Sequence, residues 1–212
     1  MNAIKSKVKQ RATIHVLARG LSNVFRPSYF PLLGIVILLL FTYLSLLPWT
    51  IKLSLLAVVY FWTLLLPSLG VRLYRHWMSL SRQELLLRRN RIVPYIIHII
   101  CYVFLYQILR VSNAPTFMEG MIIISLLVQC VCTVITLWWK ISMHSAGVGA
   151  IMGAIVVYSE IFHFNPVWWL CLAIVVSGLV NSSRMLLRQH TLWQVLGGTL
   201  AGFVCGLVGL FI

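Results

Sequence analysis

Residues near the C-terminal end of the chain have the side chains that phosphate chemistry requires. Ser183 and Arg184 are followed by His190, six positions after the arginine, and a glycine-rich apolar segment starts directly afterwards. A charged arginine and a titratable histidine beside a membrane span are costly unless they bind something. The planar arginine fork can hold two phosphate oxygens, and a neutral histidine can attack phosphorus. This stretch therefore predicts a site for a phosphate-bearing substrate.

A second polar group precedes another apolar run. Lys140, Ser142 and His144 lie just before the segment that begins at Ala146. A histidine at the N-terminal end of a span can protonate a leaving oxygen. Backbone amides and a serine hydroxyl at such an end can hold a phosphate. We therefore expect His144 to be a general acid and Ser142 and Lys140 to be phosphate ligands.

A third group is the basic run before Pro94, where an apolar segment starts. Arg88 and Arg91 are three positions apart and share a helical face, so we favour them as phosphate ligands. Arg82 and Arg89 remain the alternative pair. Basic loops beside membrane spans usually only set topology, so this run by itself is a weak signal.

The residues around His190 resemble the third signature of the type 2 phosphatidic acid phosphatase superfamily, Ser-Arg followed after five residues by His. In that family an aspartate stands four positions after the histidine, where this chain has Gln194. One helical turn separates the two residues, so the amide oxygen of Gln194 can orient the ring. The run from His190 to Val195 is similar to what dolichyl-diphosphatase-like members carry.

The other two groups match the family less completely. Ser142 and His144 take two places of the signature Pro-Ser-Gly-His, and Ile141 and Met143 stand where the proline and glycine would be. The first signature, Lys followed after six residues by Arg-Pro, has the spacing of the Arg82 and Arg89 pair, but Asn90 follows instead of proline. The resemblance covers roughly residues 82–202.

The resemblance implies an integral-membrane lipid phosphatase without metal or cofactor that passes through a phosphohistidine. His190 would be the nucleophile, His144 the general acid and Gln194 the residue that orients His190. The implied phosphate ligands are Arg88, Arg91, Lys140, Ser142, Ser183 and Arg184. The residues near Gln194 favour a polyprenyl diphosphate as substrate. Phosphatidylglycerophosphate or phosphatidic acid is the alternative, and an inactive relative that binds or transports a phospholipid or anion is the second alternative.

Composition predicts the fold class. The chain of 212 residues is 61% hydrophobic and 9% charged, with apolar runs near the length of a membrane span. We expect an all-α bundle of six to seven transmembrane helices over residues 30–212, after a basic amphipathic segment over residues 1–29 that lies on the membrane surface. The expected spans are about 30–47, 51–74, 93–109, 118–139, 146–162, 167–180 and 192–212. The second is expected to kink at Pro67 and Gly70, and the sixth to be short.

The charge balance narrows the chemistry. Against 17 lysines and arginines there are three acids, namely Glu84, Glu119 and Glu160, and there is no aspartate. This scarcity excludes a carboxylate-built Mg²⁺ or Ca²⁺ cage and acid-base catalysis by paired carboxylates. The expected partners are a lipid phosphate and the bilayer, without nucleic acid, and the protein is expected to be a monomer or homodimer.

With seven spans, all three polar groups fall on the face that also holds the N-terminus. That face carries 15 of the 17 basic residues, so the positive-inside rule places it in the cytoplasm. We expect an integral protein of a bacterial inner membrane. Glycines at four-residue intervals in the last span (Gly198, Gly202, Gly206) and the fifth (Gly149, Gly153) predict close helix packing, within the chain or in a dimer. His15, His76, His98 and His163 are expected to be structural.

Overall fold

The computed structural model describes residues 15–79, 81, 84, 90 and 92–210, and the regular structure in these residues is helical. Residues 15–24 form α1, and a 3₁₀ turn at Pro27–Tyr29 leads into the next helix. The following helices are α2 (Phe30–Phe41), α3 (Trp49–Tyr60), α4 (Leu66–Trp77), α5 (Ile92–Val111), α6 (Thr116–Trp138), α7 (Met143–Phe162), α8 (Val167–Leu186) and α9 (Leu192–Val208). The prediction of an all-α polytopic membrane protein is confirmed.

Six helical segments in the described part of the chain are long and apolar enough to cross a membrane. They are His15–Phe41, Trp49–Trp77, Ile92–Val111, Thr116–Trp138, Met143–Phe162 and Val167–Leu186. Helix α9 is apolar but has only 17 residues, about 25 Å at 1.5 Å per residue. The short span is therefore the seventh. The sixth was expected to be short but has 20 residues.

The N-terminal spans differ from the sequence-based expectation. The first was expected at 30–47, but α2 ends at Phe41 and α1 precedes it in one apolar segment. In the second, a π-helical turn at Phe61–Leu65 joins α3 to α4, directly before the expected kink at Pro67. The surface location of residues 1–29 stays a prediction, and residues 1–14 lie outside the described part.

Helices α7 and α9 pack against each other through glycines. A Cβ atom on Gly202 would overlap the carbonyl oxygen of Ala146, and one on Gly198 would lie 2.7 Å from that of Ser142. In the other direction, a Cβ on Gly149 would meet the backbone of Thr199. Only glycine lets two helix backbones approach this closely. The predicted packing within the chain is confirmed, and it brings the N-terminal ends of α7 and α9 side by side.

Candidate active site

A polar cavity of about 230 Å³ lies where α7 and α9 begin and α8 ends. Three of the predicted site residues, His144, Arg184 and His190, form part of its wall. They come from two groups that are 40 residues or more apart in sequence. The remaining wall residues are Pro27, Ser28, Pro94, Tyr95, His98, Gln129 and Met143.

His190 is held by the residue that was expected to orient it. Its Nδ1 lies 3.1 Å from Oε1 of Gln194, and the same oxygen accepts a hydrogen bond from the Thr191 amide at 3.3 Å. An amide N–H can only donate, so the atom that faces Thr191 is the oxygen of Gln194. Nδ1 of His190 must then carry a hydrogen, so that the neutral form of the ring has its lone pair on Nε2. This tautomer suits a histidine that attacks phosphorus through Nε2.

The short loop that carries His190 is fixed at both ends. At the end of α8, the Gln189 amide donates to the carbonyl of Arg184 at 3.1 Å, and Arg188 has a left-handed backbone with φ of 51°. These features form a Schellman motif. At the start of α9, Thr191 and Gln194 form a capping box. Since Gln194 belongs to both the cap and the histidine contact, the helix end also positions the ring.

Arg184 lies in the last turn of α8 and is only 7% exposed. Its Nη1 donates to the hydroxyl of Ser22 in α1 at 2.6 Å. A buried guanidinium in a cavity wall favours an anionic ligand, because its planar fork carries a positive charge and can hold two phosphate oxygens. The contact with Ser22 joins the N-terminal segment to the end of α8.

His144 lies in the first turn of α7 and contacts the same residue of α1. Its Nε2 lies 3.2 Å from the carbonyl oxygen of Ser22. A carbonyl oxygen only accepts hydrogen bonds, so Nε2 carries the hydrogen in this contact. Nδ1 is then the nitrogen that is left to exchange a proton with a substrate.

Three other predicted ligands lie near this cavity but are not among its wall residues. The Ser142 hydroxyl caps α7, accepting from the Ser145 amide at 3.4 Å and from the Ser145 hydroxyl at 2.8 Å. The Ser142 amide donates to the carbonyl of Gln194 at 3.4 Å. The hydroxyl of Ser183 donates within its own helix, to the Val180 carbonyl at 2.7 Å. Lys140 is half-buried between α6 and α7. Their phosphate-binding roles stay predictions.

The predicted ligands Arg88 and Arg91, and the alternative pair Arg82 and Arg89, lie outside the described residues. The segment that follows them is described, and Pro94, Tyr95 and His98 at the start of α5 belong to the cavity wall. In sequence, the basic run directly precedes these wall residues, and its own role stays a prediction.

His98, expected to be structural, is a wall residue that the sequence did not single out. Its Nδ1 donates to the Pro94 carbonyl at 2.8 Å, so its Nε2 accepts from the Ser28 hydroxyl at 3.2 Å. Both side chains line the cavity, together with the amide of Gln129. The only sequence signal for His98 was its place one turn after a proline that starts a span.

A larger apolar crevice of about 570 Å³ adjoins the polar cavity and shares Pro27, Gln129 and Met143 with it. It follows α7 from Met143 to Phe162, along the full 20 residues of that helix. At 1.5 Å per residue this helix is about 30 Å long. The opposite wall comes from α2, α6 and α8, with residues such as Leu33, Ile37, Met121, Val128, Leu172 and Val176.

The cavity wall is cationic. None of the three acids lies in it: Glu119 is in the first turn of α6 and Glu160 is near the end of α7, both at the other end of the bundle, and Glu84 is exposed. Among the described residues, no group of three or more His, Cys, Asp or Glu side chains could hold a metal ion. The arrangement of one guanidinium and three histidines fits a phosphate group.

The comparisons with known proteins concern the C-terminal part of the chain. Residues 128–211 match the family model of the PAP2 superfamily, which is 84 of the 212 residues. No curated protein and no solved structure matches the chain. The matched segment contains His144, Arg184, His190 and Gln194, and excludes Ser22, Ser28 and His98. The part of the chain that carries the cationic wall of the cavity is thus similar to the PAP2 superfamily.

Proposed function

We propose that the protein is an integral-membrane phosphatase that removes a phosphate from a lipid through a phosphohistidine at His190. The observation that carries this proposal is the joint placement of His190, Arg184 and His144 around a cavity that shares three wall residues with an apolar crevice. The similarity of residues 128–211 to the PAP2 superfamily supports it, because members of that superfamily are phosphatases.

The first step follows from the tautomers. Nε2 of His190 attacks phosphorus and forms an N–P bond, while the bond from phosphorus to the lipid oxygen breaks. Arg184 holds the equatorial oxygens, and His144, which enters this step with a hydrogen on both ring nitrogens, gives its Nδ1 proton to the leaving oxygen. Oε1 of Gln194 accepts a hydrogen bond from the Nδ1–H group of His190 and so orients the developing imidazolium.

The second step reverses the proton movement. A water molecule attacks phosphorus, His144 takes its proton, and the N–P bond breaks to release inorganic phosphate and neutral His190. We propose that this chemistry uses no metal ion, because the chain has three acids and no aspartate. Arg88, Arg91, Lys140, Ser142 and Ser183 remain candidate phosphate ligands beside Arg184.

The crevice favours a long lipid chain. It follows a helix about 30 Å long, whereas one leaflet of the hydrocarbon core is only about 15 Å deep. Acyl chains that fill a single leaflet would occupy about half of this length. A polyprenyl chain is longer than one leaflet, so we propose a polyprenyl diphosphate as substrate. Phosphatidylglycerophosphate and phosphatidic acid are the alternatives.

The orientation of the site completes the proposal. We place the cavity at the cytoplasmic face of a bacterial inner membrane, because seven spans would put 15 of the 17 basic residues of the sequence on the face that carries the site motifs. Reporter fusions before Met1 and after Ile212 should then lie on opposite faces, with the N-terminal one in the cytoplasm.

The test is phosphate release by the purified protein in detergent with excess chelator. We expect turnover of a polyprenyl diphosphate, with weaker turnover of phosphatidylglycerophosphate and phosphatidic acid. His190→Ala should be inactive at the same expression and thermal stability. If no lipid phosphate is hydrolysed, or if activity needs added Mg²⁺, the proposal is wrong; phosphate binding without turnover would instead favour the inactive relative.

Chain length tests the crevice separately. Ile155 lines the crevice twelve residues along α7 from Met143, about 18 Å away. Ile155→Trp should lower kcat/KM for long polyprenyl diphosphates and leave that for short prenyl diphosphates unchanged. Val175→Trp, on the exposed face of α8, is the matched control and should affect neither. Equal losses for long and short chains in Ile155→Trp would contradict a tail in the crevice.

A further inference from the structure

Ser22 in α1 forms hydrogen bonds with two residues of the proposed site. Its hydroxyl accepts from Nη1 of Arg184 at 2.6 Å, and its carbonyl oxygen accepts from Nε2 of His144 at 3.2 Å. It lies 162 and 122 positions from them in sequence. Ser22 is only 7% exposed, and it does not belong to the wall of the polar cavity, whereas both partners do.

This placement indicates that Ser22 supports the site and does not block the phosphate position. A residue that blocked the phosphate position would itself line the cavity between Arg184, His144 and His190. Ser22 instead bonds Nη1 of the guanidinium and Nε2 of the imidazole, and these two side chains line the cavity whereas Ser22 does not. Arginine binds phosphate best when its fork is fixed before the ligand arrives, because less freedom is then lost on binding.

The neighbouring residue on the same face of α1 shows how the segment comes so close. Ala18, one turn before Ser22, is 5% exposed, whereas Val24 is 63% exposed. Positions 18 and 22 thus form a buried face of small side chains, which suits close helix packing. Ser22 on this face contacts residues of α7 and α8.

We propose that Ser22 is a positioning residue: its hydroxyl fixes the guanidinium of Arg184, and its carbonyl fixes the tautomer of His144. The inference rests on the proposed phosphatase function for its kinetic consequences, but its binding consequences are independent of turnover. It extends the site to an N-terminal segment that lies outside the region similar to the PAP2 superfamily.

Binding of inorganic phosphate to the full chain in detergent tests the hydroxyl contact. Ser22→Ala should weaken phosphate binding roughly tenfold, since a hydrogen bond to a charged group is lost. Ser22→Thr keeps the hydroxyl and should bind phosphate clearly more tightly than Ser22→Ala. Ser68→Ala is the matched control, because the Ser68 hydroxyl is exposed and bonds only within its own helix. Unchanged binding in Ser22→Ala, or equal weakening in Ser22→Thr, would overturn the proposal.

The carbonyl contact needs a different variant, because Ser22→Ala retains that oxygen. Ala18→Leu should push α1 away from α7 and α8, so that phosphate binding weakens and the pH profile of kcat shifts. Ser22→Ala should raise KM with the wild-type pH profile of kcat. Val24→Leu, on the exposed side of α1, should change neither quantity. If Ala18→Leu folds and keeps both the wild-type binding and the wild-type profile, α1 does not position the site.

The two readouts separate this inference from the proposed function. If the wild type binds phosphate with the expected dependence on residue 22 but hydrolyses no lipid phosphate, the phosphatase proposal fails and the role of Ser22 in anion binding stands. If the wild type hydrolyses lipid phosphates and Ser22→Ala has unchanged phosphate binding and KM, the phosphatase proposal stands and the proposed role of Ser22 fails.

Discussion

Helix α7 and the span formed by α3 and α4 represent two kinds of packing in one membrane protein. In α7, 61% of the most apolar stretch is buried within the protein, against 17% in the span Trp49–Trp77. The difference follows from residue size. Helix α7 has small residues along the side that faces α9, whereas α3 and α4 carry large apolar side chains that stay exposed, such as Leu53, Tyr60, Leu69 and Leu73.

The glycines of the two regions show the same contrast. A Cβ on Gly202 would meet the backbone of Ala146, but a Cβ on Gly70 in α4 would meet only the side chain of Ile97, at 3.0 Å. A side chain can change rotamer, whereas a helix backbone cannot move without shifting the whole element. Contact between backbones therefore fixes α9 against α7 and holds His190 near His144. The apolar crevice lies along another side of α7, between it and helices α2, α6 and α8.

The largest expected effect comes from breaking the backbone contact. Gly202→Leu should force α9 away from α7, lower the unfolding temperature in detergent strongly and abolish phosphate release, because overpacking costs about 1–3 kcal/mol or more. Gly70→Leu is the matched control in the loosely packed region. It should keep most of the activity and stability, since the Ile97 side chain can adjust. Equal losses of activity and stability in the two variants would contradict the difference in packing between the two regions.

The next largest effect is expected at His144, where the N-terminal segment meets α7. His144→Ala should slow turnover of a lipid phosphate by about 10²–10⁴-fold, the usual contribution of a general acid. Aryl phosphates with acidic leaving groups should lose much less, because their oxygen needs no proton. Steady-state kinetics on both substrates measures this. A loss that is the same for both would contradict the assignment of His144 as general acid.

A smaller effect is expected at Gln194, which lies in the tightly packed region. Gln194→Met keeps the length but removes the acceptor for His190, so kcat should fall roughly tenfold, as for the loss of one hydrogen bond. Gln194→Glu can place a carboxylate oxygen on the same two donors and stabilise the imidazolium. It should match or exceed the wild-type kcat. Higher activity in the methionine variant than in the glutamate variant would contradict the orienting role.

The smallest effect is expected at Arg188, in the loop between α8 and α9. Its φ of 51° lies in the left-handed region, where glycine has no steric penalty. Arg188→Gly should therefore keep the activity and raise the free energy of unfolding by up to about 1 kcal/mol. Thermal unfolding in detergent measures this. A clear loss of phosphate release would show that the Arg188 side chain takes part in the site.

The sequence was informative where one helical turn or a short loop sets the geometry. The four-residue spacing of His190 and Gln194 predicts their contact across one helical turn. The contact is present, but His190 lies in the loop before α9, and Gln194 reaches it from the capping box. The four-residue spacing of the glycines in α7 and α9 predicts the close pair, because residues one turn apart share a helix face. Arg184 and His144 were predicted from their positions at span ends together with the resemblance of their surroundings to two family signatures.

Ser22, Ser28 and His98 could not be found in this way. Ser22 acts through contacts with residues more than 100 positions away, and its neighbours in sequence carry no motif. The tautomer of His98 depends on the Pro94 carbonyl and the Ser28 hydroxyl, which only the tertiary structure brings together. Span ends were also misplaced, because hydropathy alone does not register a π-helical turn or a break at Thr42.

Trapping the covalent intermediate tests the central claim most directly. With a lipid phosphate labelled in the transferred phosphate and a rapid alkaline quench, the wild type should give an acid-labile phosphoenzyme located at His190. His190→Ala should give none, while its thermal unfolding stays that of the wild type. Labelling of His190→Ala at the wild-type level, with turnover retained, would show that the phosphoryl group does not pass through His190.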